Sequence, residues 1–253
     1  MLGRQLREAS VLRHSLEYPG GSQHRVRRVY RNKIRQRKEK LKMSFRKLIP
    51  WSGIALFLTG VLFVITSLAH PSDFDPNAAL SSLWAPVHVL LTFAFLLSLF
   101  GLVGLYARLQ EQSGTLGLVA FILALFGSGL SIIAGAVEAY VEPFLASQQA
   151  TPQPPLALID PAGPLSGLLL FFLLAVIFFF LGYTLMGVVI VRTRVLPRWA
   201  GWLLIIGTVL TNATFLGSIG YVPRVIGGVI FGIALGWLGY ALWSEKGVTT
   251  AQA

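Results

Sequence analysis

Four ionisable residues stand out in a chain that has few of them: His70, His88, Glu138 and Glu142. The two glutamates are four apart, which places them on one face of a helix. Two imidazoles with one or two carboxylates form a ligand set suited to zinc, iron or manganese. Two histidines alone are the axial pair of a haem. The chain has no Cys, so thiolate ligands, cysteine nucleophiles and disulfides are excluded. Neither a His-Glu-x-x-His nor a His-x-x-His spacing occurs. A plainer reading stands beside the metal one, and the sequence favours it: a solvated rim near a water interface, where His and Glu need no partner.

The elements that would position these residues are set by the solvent. Of 253 residues, 55% are apolar and 12% charged, with a mean hydropathy of +0.69. A soluble domain carries about 25% charged residues, so a water-soluble globule is excluded. About 20 apolar residues span a bilayer core as a helix. Six stretches qualify: Trp51–Ala69, Pro86–Tyr106, Leu116–Val141, Leu165–Val191, Trp199–Gly217 and Val222–Trp243. Each is apolar all round rather than striped. The expected fold class is therefore all-α, a polytopic bundle of six transmembrane helices.

Orientation follows from basic residues at the helix ends. With the N-terminus inside, Arg46, Lys47, Arg108, Arg192, Arg194, Arg198 and Lys246 fall on the cytoplasmic side and Arg224 alone falls outside. Asp73, Asp75, Glu138, Glu142 and Asp160 lean outward. Both termini are read as cytoplasmic. His70 then follows the first helix, His88 lies in the first turn of the second and the two glutamates end the third. Short connections make these three helices neighbours, so the four side chains are placed to converge near the outer interface.

Three regions follow. Residues 1–42 read as a basic cytoplasmic leader, 43–246 as the transmembrane domain and 247–253 as a short cytoplasmic tail. Residues 1–50 hold 15 basic and 3 acidic side chains. One reading of the leader is a disordered polybasic segment drawn to anionic lipid. Nucleic-acid binding is not expected, because no folded module accompanies the charge. The other reading starts the native protein at Met43, whose MSFRKLIPWSG is an ordinary lead-in to a membrane helix; residues 1–42 are then not translated. Ser67-Leu68-Ala69 resembles a cleavage site, but the apolar run before it exceeds the ~7–15 residues of a signal peptide, so the first helix is read as uncleaved.

Gly228, Gly232 and Gly236 form a GxxxGxxxG run, and Gly127, Ser131 and Gly135 repeat the spacing. Small residues four apart let another helix backbone approach closely, within the chain or in another copy. Asn212 and Tyr183 put polar groups at membrane depth, where they bond neighbouring helices or line a carrier's path. A retinal Schiff base is excluded by the lack of a central Lys, and neither a Walker loop nor a Gly-x-Ser-x-Gly elbow is present.

The stretches from His70 to His88 (HP…WAPVH), GLVGLYARLQ, VLPRWAGWLL and YVPRVIGG…GWLGYALW resemble small multi-pass bacterial membrane proteins classed as domains of unknown function, across most of Met43–Trp243. That resemblance implies a bacterial plasma-membrane bundle and brings no activity or functional residue. The expected role is a non-enzymatic membrane subunit or accessory protein acting through helix packing, without a cofactor. Its partners are the lipid bilayer and a second copy or a membrane complex. One alternative is a metal- or haem-binding protein using His70, His88, Glu138 and Glu142; another is a carrier for a small apolar or amphipathic molecule. The intact mass of the protein made from its native gene distinguishes the two readings of the leader: a chain beginning at Met43 supports the second, and one beginning at Met1 overturns it.

Overall fold

The computed structural model describes residues 22–244, so the first half of the basic leader and the tail carrying Lys246 lie outside the described residues. The chain divides into two compact units, Met1–Lys47 and Leu48–Ala253. In the first, Arg28, Arg31 and Lys33 are exposed on helical backbone. The second holds the bundle and everything that follows.

Every regular element among the described residues is helical. We number the α-helices α1 (Ser22–Ala69), α2 (Trp84–Ala136), α3 (Glu142–Ser147), α4 (Pro155–Ile159), α5 (Leu169–Thr193), α6 (Arg198–Thr211) and α7 (Tyr221–Ser244). A π-turn over Val137–Val141 joins α2 to α3. Among the described residues, four helical segments are long and apolar enough to cross a membrane: Leu48–Ala69, Trp84–Ser147, Ser166–Thr193 and Arg198–Ser244. In lipid, helices satisfy their own backbone, which is why apolar runs of this length fold this way.

The six apolar stretches of the sequence lie within those four segments because two segments fold back on themselves. Gly114, at φ 56° and ψ −150°, breaks α2 in a conformation that only glycine adopts readily. Its two arms run antiparallel: the Trp84 indole donates to the Glu138 carbonyl at 2.8 Å, Gly135 lies against Thr92, and Tyr106 stacks on Phe121 at 4.7 Å. Gly217, at φ 73°, reverses the chain between α6 and α7 in the same manner. There Gly207 meets the Phe231 backbone, and Gly227 meets that of Leu210 and Thr211.

One boundary differs from the sequence expectation. The fifth stretch is α-helical only to Thr211, and residues 212–220 continue as 3₁₀ turns around Gly217. Asn212 therefore sits at the end of α6, where its amide donates to the Thr208 carbonyl at 2.8 Å.

Small residues set how closely the helices pack. A Cβ on Gly182 would collide with the Ala124 backbone, and one on Gly127 with that of Phe179, so α2 and α5 touch backbone to backbone. Gly60 meets Gly232 and Gly236 across α1 and α7, while Gly228 lies against Ser67. Ser131 returns its hydroxyl to the Gly127 carbonyl. Both small-residue runs thus make contacts within the chain. Between the helices Phe63, Phe95, Phe179, Tyr183 and Phe231 pack with ring centroids 4.7–5.9 Å apart. Large apolar side chains also cover the outside, among them Phe126 at 58% exposure and Leu170 at 68%. A surface of that kind belongs in lipid.

Gly182→Leu is expected to force two backbones apart and lower stability by about 1–3 kcal/mol, the usual cost of overpacking. Gly129→Ala faces open space and is expected to leave the melting temperature in detergent unchanged or slightly raised. Equal melting of both variants would contradict the backbone contact.

Candidate functional site at the His70 end of the bundle

His70 leaves the end of α1 and is held by α7, whose Tyr221 hydroxyl donates to the His70 carbonyl at 2.9 Å. His88 lies one turn into α2. There its Nδ1 faces the Trp84 carbonyl at 2.8 Å, while the Trp84 indole packs 4.4 Å from the imidazole. Trp84 in turn bonds the π-turn through the Glu138 carbonyl. A π-turn widens the helix by one residue per turn, and this one carries Glu138. The 3₁₀ turn Ala78–Leu80 packs behind Trp84, with Ala78 and Ala79 clustered on Trp84 and Ala146.

These supports bring the two imidazoles together, 4% and 2% exposed, with Nε2 to Nε2 at 3.2 Å. A Glu138 carboxylate oxygen stands 3.6 Å from the His88 Nε2, its side chain about a third exposed. Glu142, one turn further on, is 3% exposed, and its Oε2 has no hydrogen-bond partner. Asp73 lies 3.8 Å from the His70 Nδ1 and pairs with Arg224 at 3.5 Å. Burial above all, then the Arg224 guanidinium and the His88 ring, hold the His70 pKa well below its ordinary value, against the pull of the Pro71 carbonyl. His70 is therefore neutral near pH 7.

Carbonyl oxygens only accept, which assigns the tautomers. The His70 Nδ1 lies 2.6 Å from the Pro71 carbonyl and the His88 Nδ1 faces that of Trp84, so both Nδ1 atoms carry hydrogen. In neutral rings both Nε2 atoms are then bare lone pairs, 3.2 Å apart. Three short contacts ask for three protons, and two neutral imidazoles hold two.

Axial haem ligands stand on opposite faces of the iron, about 4 Å apart for bonds of ~2 Å. The imidazoles are closer than that, with no gap for a macrocycle, so the arrangement does not fit a bis-histidine haem. Among the described residues no three His, Cys, Asp or Glu side chains are arranged to hold a metal ion as they stand. At the other candidate position, the Tyr183 hydroxyl is 2.9 Å from that of Ser128 and the residue is buried in the aromatic core; it packs rather than lining a path.

The sequence reading passed over Trp84, Tyr221, Asp73 and Arg224. Signals were present for two of them. Trp84 precedes His88 by one helical turn, and Arg224 is the single basic residue at that end of the chain's apolar runs.

The fold and its apolar surface define a multi-pass helical membrane protein. No family model, curated protein or solved structure matches the chain, and its site is read from its own chemistry.

Tyr221→Phe removes the bond to the His70 carbonyl, and Trp84→Phe removes that to the Glu138 carbonyl. Each is expected to cost about 1 kcal/mol, seen as a lower melting temperature in detergent. An unchanged melting temperature in both would mean that these bonds do not hold the site together.

Proposed function

We propose that the protein is a six-pass bundle in a bacterial plasma membrane, with both termini cytoplasmic, and that it is a non-enzymatic accessory protein binding a small ionic ligand at its outward, His70 end. The reversals at Gly114 and Gly217 support the count of six: the 30 residues of Trp84–Ser113 make about 45 Å of helix, and the 14 residues of Arg198–Thr211 make about 21 Å that the 3₁₀ turns after them extend. The excess of basic residues at the opposite ends supports the orientation. The observation that carries the binding role is the meeting of two buried imidazole nitrogens at 3.2 Å, with the Trp84 ring packed on both imidazoles. Burying ionisable groups is costly, and a buried cluster of them is a functional-site candidate. Gly127, Gly135, Gly228 and Gly232 of the small-residue runs already meet neighbours inside the chain, which favours this end over those helix faces as the working surface.

The absence of cysteine makes the topology directly testable. Single cysteines at Asn77, Gln153 and Ser218, all exposed, are expected to react with a membrane-impermeant maleimide in intact cells. One at Gln112, also exposed, is expected to react only after lysis. Labelling of Gln112→Cys from outside would overturn the six-pass count. Protection of Asn77→Cys would overturn the outward placement of the site.

A further inference from the structure

We propose that the ligand of this site is a divalent transition-metal ion of the zinc class, held by Nε2 of His70, Nε2 of His88 and the carboxylate of Glu138. This inference rests on the binding role proposed above and names its ligand. Two nitrogens bound to one tetrahedral zinc at 2.0–2.1 Å stand about 3.4 Å apart. The His70 and His88 nitrogens stand at 3.2 Å, so an ion seated to one side of the line between them and about 2 Å from each needs a separation only a few tenths of an ångström larger.

The outer contacts have the form that metal-ligating histidines use. Such a histidine donates its other ring N–H to a carbonyl or carboxylate, which fixes tautomer and ring orientation before the ion arrives. Here His70 donates to the Pro71 carbonyl and His88 to that of Trp84. The third ligand needs a small movement. The Glu138 oxygen 3.6 Å from the His88 nitrogen is at neighbouring-ligand range, and its partly exposed side chain is free to turn toward the pair.

Charge favours the same class. Asp73 and Arg224 neutralise each other beside the site. Glu138 supplies one negative charge, and the next carboxylate along the helix, Glu142, is buried with an oxygen that bonds nothing. With the Asp73–Arg224 pair neutralised, the Glu138 carboxylate is the group that a cation at the two nitrogens would meet. Two imidazoles with carboxylate suit zinc, manganese or iron better than calcium or magnesium, which take oxygen donors.

The test uses the full chain in mild detergent, stripped with chelator, equilibrated with Zn2+ and passed over a desalting column before elemental analysis. One zinc per chain is expected, with a rise in melting temperature on adding Zn2+, since an ion that binds only the folded state stabilises it. His88→Ala is expected to lose the retained zinc. Glu138→Gln removes a ligand at a partly exposed position; it is expected to stay folded and to bind zinc at least about tenfold more weakly, the lower end of what even supporting groups around a metal contribute. No retained zinc and no thermal shift in the wild-type chain would overturn the inference, as would equal zinc binding by Glu138→Gln. In either case, outward labelling of Asn77→Cys would leave the outward site standing with a shared proton as its content. A protected Asn77→Cys would remove the outward reading whatever the metal result.

Discussion

Backbone contact between helices at small residues is the constraint on which this structure depends. Lipid offers apolar helices no hydrophobic reward for associating, so association rests on close packing and on hydrogen bonds between them. The chain meets that requirement with glycine. Gly182 and Gly127 bring α2 and α5 together, Gly60 and Gly232 do the same for α1 and α7, and Gly207 and Gly227 close the last hairpin. With backbones this near, the aromatic side chains of the core interlock around Phe179 and Phe231 instead of propping the helices apart.

That close packing positions the polar end. His70 leaves α1 and His88 begins the first arm of α2, so their rings meet only if α1 and α2 are in register at that end. Glu138 reaches them because the second arm of α2 returns antiparallel from Gly114. Tyr221 and Arg224 come from the start of α7, which the reversal at Gly217 brings back to the same level. Two glycine turns therefore deliver four pieces of chain to one point. There, main-chain carbonyls of Trp84 and Pro71 orient the imidazoles, and the Trp84 indole ties the π-turn to the start of α2.

Much of this was legible before any coordinates. The apolar stretches are all helical, and the neighbourhood of His70, His88 and Glu138 follows from short connections between consecutive helices. The extent of α6 was not legible. Residues 212–217 are as apolar as those before them, and hydropathy does not distinguish an α-helix from 3₁₀ turns. Asp73 and Arg224 were passed over because an ion pair between a loop and a distant helix leaves no periodic trace. The π-turn was equally hidden: the four-residue spacing of Glu138 and Glu142 looks the same in either kind of helix.

The sequence by itself determined the solvent, the helical class and the chemistry available, because hydropathy and residue type are properties of each segment alone. It held the small residues that permit close packing without saying which backbones they meet. Only the tertiary structure decided that most of the small-residue runs meet neighbours within the chain, that Tyr183 is sealed against Ser128, and that two imidazole nitrogens meet at 3.2 Å. Those outcomes depend on distances between segments far apart in the chain, and the orientation of a histidine is set by the carbonyl it meets.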